Sequence, residues 1–192
     1  IVPVTHAMNT VKDMCDRAVW LSPGVVTGEG DPAELVEQDT EQMLGHMSRT
    51  ADGSIRRGSG EVQVVAIEMF VNGGAQPVKR FRTSDEVTIR LHYRAAKAIP
   101  RPVIGIEIEQ LGGATVTAPC TRDVGLVPDR IEGEGYVDIA LGSVPLLPGT
   151  FDLHTSITDF NRSHVYDHLQ VAMRFDVMTG KPYESGGLMT LR

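Results

Sequence analysis

From Gly60 onward, apolar and polar residues alternate with a period of two, and no other feature restricts the fold of this chain so sharply. Val87, Ile89, Leu91 and Tyr93 interleave with Thr88, Arg90, His92 and Arg94, and Ile104, Ile106 and Ile108 with Gly105, Glu107 and Glu109. Successive side chains of a strand point to opposite faces, so each run specifies a strand with one buried and one wet face. The pattern returns in Val137, Ile139 and Leu141, in Phe151, Leu153, Thr155 and Ile157, and in Val171, Met173, Phe175 and Val177. Val62 and Val64 share one parity while Val65, Ile67 and Met69 share the other, and a slip of one residue inside a strand is the mark of a β-bulge. Pro100-Arg101-Pro102, Gly112-Gly113 and Pro148-Gly149 punctuate the runs. Roughly seven or eight short strands, each with one apolar face, call for two sheets packed face to face. The expected fold is therefore mainly β, an antiparallel immunoglobulin-like β-sandwich over residues 61–179, followed by a tail at 180–192 that is either free or exchanged as a strand.

The first 47 residues follow different rules. Asn9 is placed to cap a helix carrying Val11, Met14, Cys15 and Ala18 on one face. Arg17–Leu21, a Ser22-Pro23-Gly24 turn and Val25–Thr27 then form a short strand pair. Asp31-Pro32-Ala33-Glu34 opens a second helix, with Asp31 as N-cap, Pro32 at the first helical position and Glu34 completing a capping box. Residues 48–60 are small and polar and read as a linker. Ile1-Val2-Pro3-Val4-Thr5 reads as a strand already in progress, so the expectation is a segment of a longer protein.

Composition excludes several roles. With 18 Lys+Arg against 25 Asp+Glu, a net charge of −7, the chain has no surplus cation for a phosphate backbone, and no nucleic-acid partner is expected. Apolar runs fall far short of the ~18–20 residues of a spanning helix, and no charged-then-apolar leader opens the chain. The two cysteines, Cys15 and Cys120, specify neither a disulfide framework nor a thiolate metal site, and a reducing cytoplasm suits them. A G-x-x-x-x-G-K-S/T loop, H-E-x-x-H, C-x-x-C and G-x-S-x-G are all missing from the sequence, so no catalysis, cofactor or metal is expected of it.

Two polar rows remain. Arg90, His92 and Arg94 stand on the wet face of one strand and Glu107 and Glu109 on that of the next. If the two strands pair as a meander through Pro100-Arg101-Pro102, planar donors lie beside acceptors, a surface suited to sugar hydroxyls. The same row also reads as a solvated charge ladder. Carboxylates two apart on a strand are roughly 6.5–7 Å apart, inside the range of an inverting glycosidase, but such a pair usually faces water rather than a cleft. Thr121, Arg122 and Asp123 fall in a loop at the edge of the polar face. Asp159, Asn161, Asp167 and His168 crowd one connection without calcium-loop spacing. Tyr93, Phe151 and Phe175 fall on inward parities, leaving Tyr136, Phe160 and Tyr166 as rings able to stack on a sugar.

Two resemblances organise these readings. Val4-Thr5-His6, Val11, Cys15-Asp16-Arg17-Ala18-Val19-Trp20-Leu21, Gly24 and Gly30 resemble the closing segment of an ABC transporter ATP-binding domain, over about forty residues. The resemblance places His6 at the switch histidine that contacts the ATP γ-phosphate. It makes residues 1–47 the end of a nucleotide-binding domain, whose ATP and Mg would be held by parts not present in this segment. Ile89-Arg90-Leu91-His92-Tyr93-Arg94-Ala95, Pro100–Ile106, Pro119-Cys120-Thr121-Arg122 and Leu146-Leu147-Pro148-Gly149-Thr150-Phe151 resemble the C-terminal domain of the ATP-binding subunit of bacterial O-antigen and related polysaccharide exporters. Cys120 stands where that family's Pro-Asn-Thr-Arg block has Asn. The resemblance implies a cytoplasmic protein, peripheral on the inner face of the inner membrane, that recognises a lipid-linked O-antigen-type polysaccharide, partners an ABC permease through the intact parent, and forms a homodimer. Arg90, His92, Arg94, Glu107, Glu109, Thr121, Arg122 and Asp123 are then the expected glycan-binding residues. The alternative is a sandwich that serves only dimerisation and regulation.

Overall fold

The computed structural model describes residues 4, 11–12, 14–22, 25–36, 48–50, 53–181, 184 and 186–191, and strands dominate them. In chain order these are β1 (Ala18–Ser22), β2 (Val25–Gly30), β3 (Ser48–Arg49), β4 (Ile55–Arg57), β5 (Val62–Val71), β6 (Arg80–Arg82), β7 (Glu86–Pro100), β8 (Val103–Gln110), β9 (Ala114–Thr117), β10 (Arg130–Ser143), β11 (Gly149–Thr158) and β12 (Val165–Met178). The chain divides into two units, Ile1–Met47 and Ser48–Arg192.

In the first unit β1 and β2 pair as an antiparallel hairpin from Ala18↔Gly30 to Ser22↔Val25. A Cβ on Gly28 would lie 2.7 Å from Leu35 Cδ2, so the glycine leaves room for Leu35 over this hairpin. Asp31 caps the helical turn at 32–36 as expected, its Oδ1 accepting from Ala33 N at 2.8 Å and Glu34 N at 3.2 Å. His6, Asn9 and the continuation of the second helix past residue 36 lie outside the described residues.

The second unit is the sandwich. A small sheet of order β10-β7-β5 faces a larger sheet of order β3-β4-β12-β11-β8-β9, to which β6 adds by pairing with β12. Every pairing is antiparallel except β6 with β12. The inward residues are those the alternation selected: Val62, Ile89, Leu91, Ile104, Ile106, Ile108, Phe151, Leu153 and Phe175 form one core, with Phe175 stacked on Phe81 and Phe151 at 5.6 and 5.7 Å. Burying each such side chain is worth about 1.5–3 kcal/mol. The phase slip in β5 is a bulge, with register shifting between Val64 and Ala66.

Three expectations fail here for physical reasons. First, β7 and β8 do not form a meander: β7 sits at the centre of the small sheet and β8 in the larger one, and Pro100-Arg101-Pro102 is a corner between sheets, with Arg101 at φ 43°. Second, the segment 48–60 is not a free linker. β4 pairs with β12 through His168↔Arg57, and Ser54 Oγ donates to Val171 O at 2.9 Å. At Gly58 a Cβ would lie 2.5 Å from Tyr166 O, so only glycine lets this edge lie so close to β12. Third, Val171 does not continue the inward parity of β12. It sits in a bulge opposite β11 at φ 52° and is 38% exposed.

Residues 188–190 run against 145–147 of the same chain, with Leu147 N donating to Leu188 O at 2.9 Å and Thr190 N to Pro145 O at 2.8 Å. Two side chains of the larger sheet, Asp167 and Arg56, bond across to Val64 of the small sheet. Asp167 on β12 accepts the Val64 N–H of β5 at 2.8 Å, while Arg56 Nε stands 3.2 Å from its other oxygen.

Candidate functional site: a hollow on the larger sheet

The outward residues of β8 are Val103, Gly105, Glu107 and Glu109, and the register lays them against Thr158, Ser156, His154 and Asp152 of β11. On the far side of β11, Ser156 meets His168 and Asp152 meets Arg174 of β12. This central strand is polar on its outer face, yet Asp152, His154 and Thr158 are buried there, because longer side chains of the flanking strands fold over them. Arg174 clamps Asp152 with two bonds of 2.7 and 2.8 Å. Where Gly105 replaces a side chain, the cover opens into a hollow of about 70 Å³ lined by Glu107, Ala118, Pro119, His154, Ser156 and His168 among others, with Arg162 at its side. A Cβ on Gly105 would come within 2.9 Å of Ser156 Oγ and 3.4 Å of Cys120 Cβ.

The polar residues that line the hollow are held from behind to different degrees. His154 Nδ1 accepts the Val171 N–H at 3.4 Å, so in the neutral ring Nε2 carries the proton. That Nε2 is buried without a hydrogen-bond partner, and its nearest acidic neighbour, Glu109 Oε2, is 3.8 Å away. An unmet buried donor costs on the order of 1–3 kcal/mol. Glu107 receives the Thr115 hydroxyl on one oxygen at 2.7 Å. His168 titrates below its usual value, first because of burial and then because of the Arg57 and His154 charges, with Glu107 opposing, so at neutral pH it is an uncharged ring.

The residues expected to bind a glycan on one face are divided between two. Glu107 and Glu109 belong to the face just described. Thr121, Arg122 and Asp123 form the turn at its end, and their visible bonds build that turn. Thr121 Oγ1 accepts the Ile104 N–H at 3.0 Å, Arg122 Nη1 donates to Phe160 O at 2.9 Å, and Asp123 Oδ2 accepts from Cys120 N at 2.9 Å and from Cys120 Sγ at 3.0 Å. These Cys120 bonds, side chain first, hold the Asp123 carboxyl below its usual range. Arg90, His92 and Arg94 stand on the outer face of the small sheet. There Arg90 grips Asp138 at 2.7 and 2.8 Å, His92 Nε2 is 2.8 Å from Glu68 and Arg94 is 2.8 Å from Glu134. Arg90 also lies 4.2 Å from the Tyr136 ring centre, while Arg101 covers Phe160 at 3.6 Å. The small-sheet row is a cross-strand charge ladder whose members face each other.

Sequence reasoning missed Gly105, His154, Ser156 and Arg162, and it placed His168 and Asp167 in a connection although both lie in β12. Asp159 bonds its own turn, accepting from Ser163 N at 2.7 Å and His164 N at 2.8 Å, and no group of potential metal ligands occurs among the described residues. A wider groove of about 540 Å³ between β5 and β12 has mainly apolar walls, such as Val65, Ala66, Ile67 and Met173, with Thr50, Arg56 and Lys79 also lining it. No helix among the described residues is long and apolar enough to cross a membrane.

Comparison with known proteins agrees with this architecture. The model of the Wzt C-terminal domain family matches residues 53–191. The O-antigen export system ATP-binding protein RfbB of Myxococcus xanthus is 24% identical over 172 residues, covering 81% of this chain and 39% of the relative, so the chain spans well under half of that protein's length. The crystal structure of the C-terminal domain of wzt superposes with a TM-score of 0.64 at 15% identity, covering 79% of this chain and 92% of that one, a likeness of fold.

Proposed function

The chain belongs to the Wzt C-terminal domain family, and from that premise we propose that it recognises a lipid-linked O-antigen-type polysaccharide, on the cytoplasmic side, for export by an ABC transporter. In this reading the contribution of the sandwich is binding rather than chemistry. The observation that carries it is the hollow at Gly105, where Glu107, Ser156 and His168 line a recess on the outer face of the larger sheet. Concave recesses lined by a few converging polar groups are where ligands are held. Mixed donors and acceptors match sugar hydroxyls and require no net positive charge, consistent with a chain of net charge −7. ATP and Mg, the contact assigned to His6, the permease and the homodimer belong to this proposal as what the resemblance of the sequence implies, and the name of the longer relative, an ATP-binding protein of an O-antigen export system, supports the first of them.

Titration of the whole chain with delipidated O-polysaccharide from the source strain tests the reading. The amides of Gly105, His154 and Ser156 should shift, and Glu107→Gln should weaken binding about tenfold, the ~1.4 kcal/mol expected of a hydrogen bond to a charged group. A spectrum that stays still at saturating polysaccharide, with a dimer persisting in sedimentation, leaves the dimerisation role instead.

A further inference from the structure

We infer that Arg101, Arg122 and Arg162, gathered beside Phe160 at the rim of the hollow, form a subsite for an anionic residue of the glycan, a sugar that carries a carboxylate or a phosphate. The inference rests on the glycan reading above and names the kind of sugar which that reading leaves open.

Three separate loops bring the arginines together. Arg101 lies at the corner between β7 and β8, Arg122 in the segment between β9 and β10, and Phe160 and Arg162 in the connection between β11 and β12. The Arg101 guanidinium covers the Phe160 ring at 3.6 Å, and Arg122 Nη1 donates to Phe160 O at 2.9 Å, so both are held against one residue. Arg162 lines the hollow itself. Asp123, kept ionised first by its Cys120 bonds, also feels the charges of Arg162 and Arg122, which places those two near one another. A guanidinium stacked on a ring is already oriented, so less freedom is lost when it takes a ligand. Phe160 therefore serves the cluster as a support rather than as a platform for a sugar ring.

Their electrostatic state sets these arginines apart. Arg90, Arg94 and Arg174 each hold a carboxylate, at 2.7, 2.8 and 2.7 Å. Arg101, Arg122 and Arg162 are exposed, and among the described residues none of them pairs with a carboxylate. A guanidinium has several N–H donors, and the Phe160 carbonyl takes one from Arg122. The nearby acids are spent on their own turns, Asp123 on Cys120 and Asp159 on the Ser163 and His164 N–H groups. A chain of net charge −7 repels an acidic polymer elsewhere, and this cluster is where one can be held. Arginine forks match the paired oxygens of carboxylate and phosphate alike, whereas a neutral sugar would use the donors and leave the charges unmet. Backbone strain coincides with the cluster. Arg101 and Arg162 lie in the left-handed region at φ 43° and 60°, a conformation that costs a non-glycine residue free energy and concentrates at binding sites.

Methyl β-glucuronide, glucose 6-phosphate, methyl β-glucoside and sodium sulfate at equal millimolar concentration test this on the full chain, read at the side-chain Nε–H signals of the three arginines by proton–nitrogen NMR. One or both acidic sugars should shift these signals, the stronger response naming the acid group, while the glucoside leaves them still and sulfate shifts them less. Arg122→Gln and Arg162→Gln, both at exposed positions, should each weaken binding about threefold and together about tenfold, in keeping with exposed charge pairs. An equal shift from the glucoside, a shift from sulfate as large as that from the better acidic sugar, no shift from either acidic sugar, or a double variant that binds like wild type would each overturn the subsite. The polysaccharide titration judges the glycan reading separately. Gly105 and Ser156 amides that move while the three arginines stay still leave that reading standing and remove this inference.

Discussion

Replacing Asp167 by Asn should remove a pH dependence of stability that the native fold builds into its own interior. The Asp167 side chain is 1% exposed between the two sheets. Burial pushes its pKa from 3.8 up to about 6, against the opposing pull of the Val64 N–H and the Arg56 charge. Between those two values the folded chain holds a proton that the unfolded chain has released, so stability is lost as pH rises through the window. Each pH unit between the two pKa values corresponds to about 1.4 kcal/mol, and the whole gap to roughly 3 kcal/mol. Asn cannot ionise, so the advantage of the native chain over Asp167→Asn should shrink by about that amount from below pH 3.8 to above pH 6. Taking the difference between the two proteins cancels Asp123, Asp138 and Asp159, whose lowered pKa values act in the opposite sense in both. Urea denaturation at several pH values measures it. It should be followed by far-ultraviolet circular dichroism, because the single Trp, Trp20, belongs to the other unit. A difference that stays flat across the window would refute the reasoning. One that grows with pH would show that the 3.2 Å Arg56 pair outweighs burial.

Other substitutions probe the rest of the architecture. Leu153→Ala removes a side chain that is 0% exposed from the middle of the core, and should cost about 2–5 kcal/mol in the same urea measurement. Gly180→Ala would bring a Cβ to 2.2 Å from Thr83 O, backbone that cannot yield, so limited proteolysis should cut the tail after Met178 in the variant well before the wild type. Arg90→Gln breaks the grip on Asp138 on the small sheet and should leave polysaccharide affinity within twofold of wild type, since that ladder faces away from the hollow. A tenfold loss would move the site to the small sheet.

The fold was legible wherever burial is one-sided. Ile104, Ile106 and Ile108 alternate with Gly105, Glu107 and Glu109 because one face of β8 meets the core and the other meets polar cover, and the bulge in β5 showed as a phase slip for the same reason. Alternation says which face a residue takes and nothing about which strand lies beside it. Pro100-Arg101-Pro102 is as compatible with a hairpin as with a corner, and only the packing of Ile99 and Val103, each buried, decides that the chain changes sheets there. Residues 48–60 misled through composition. An edge strand has one neighbour and little to bury, so Ile55-Arg56-Arg57 carries the polarity of a linker while pairing with β12.

The same limit explains the site. Glu107 and Glu109 announce themselves because charge in a strand is conspicuous, whereas His154 and Ser156 acquire their meaning only from position. On an edge strand they would be wet and ordinary. β11 is instead flanked on both sides, by β8 and β12, so their polar groups are covered by neighbours and must find partners within that cover. Asp152 finds Arg174. His154 finds the Val171 N–H for one nitrogen and no hydrogen-bond partner for the other, which is buried, while Gly105 leaves the cover open beside Ser156. A glycine among outward polar residues, opposite the half-buried Ser156 of the central strand, is therefore the signature of this hollow. It becomes readable only once strand order is known, and strand order is the information that a period of two does not carry.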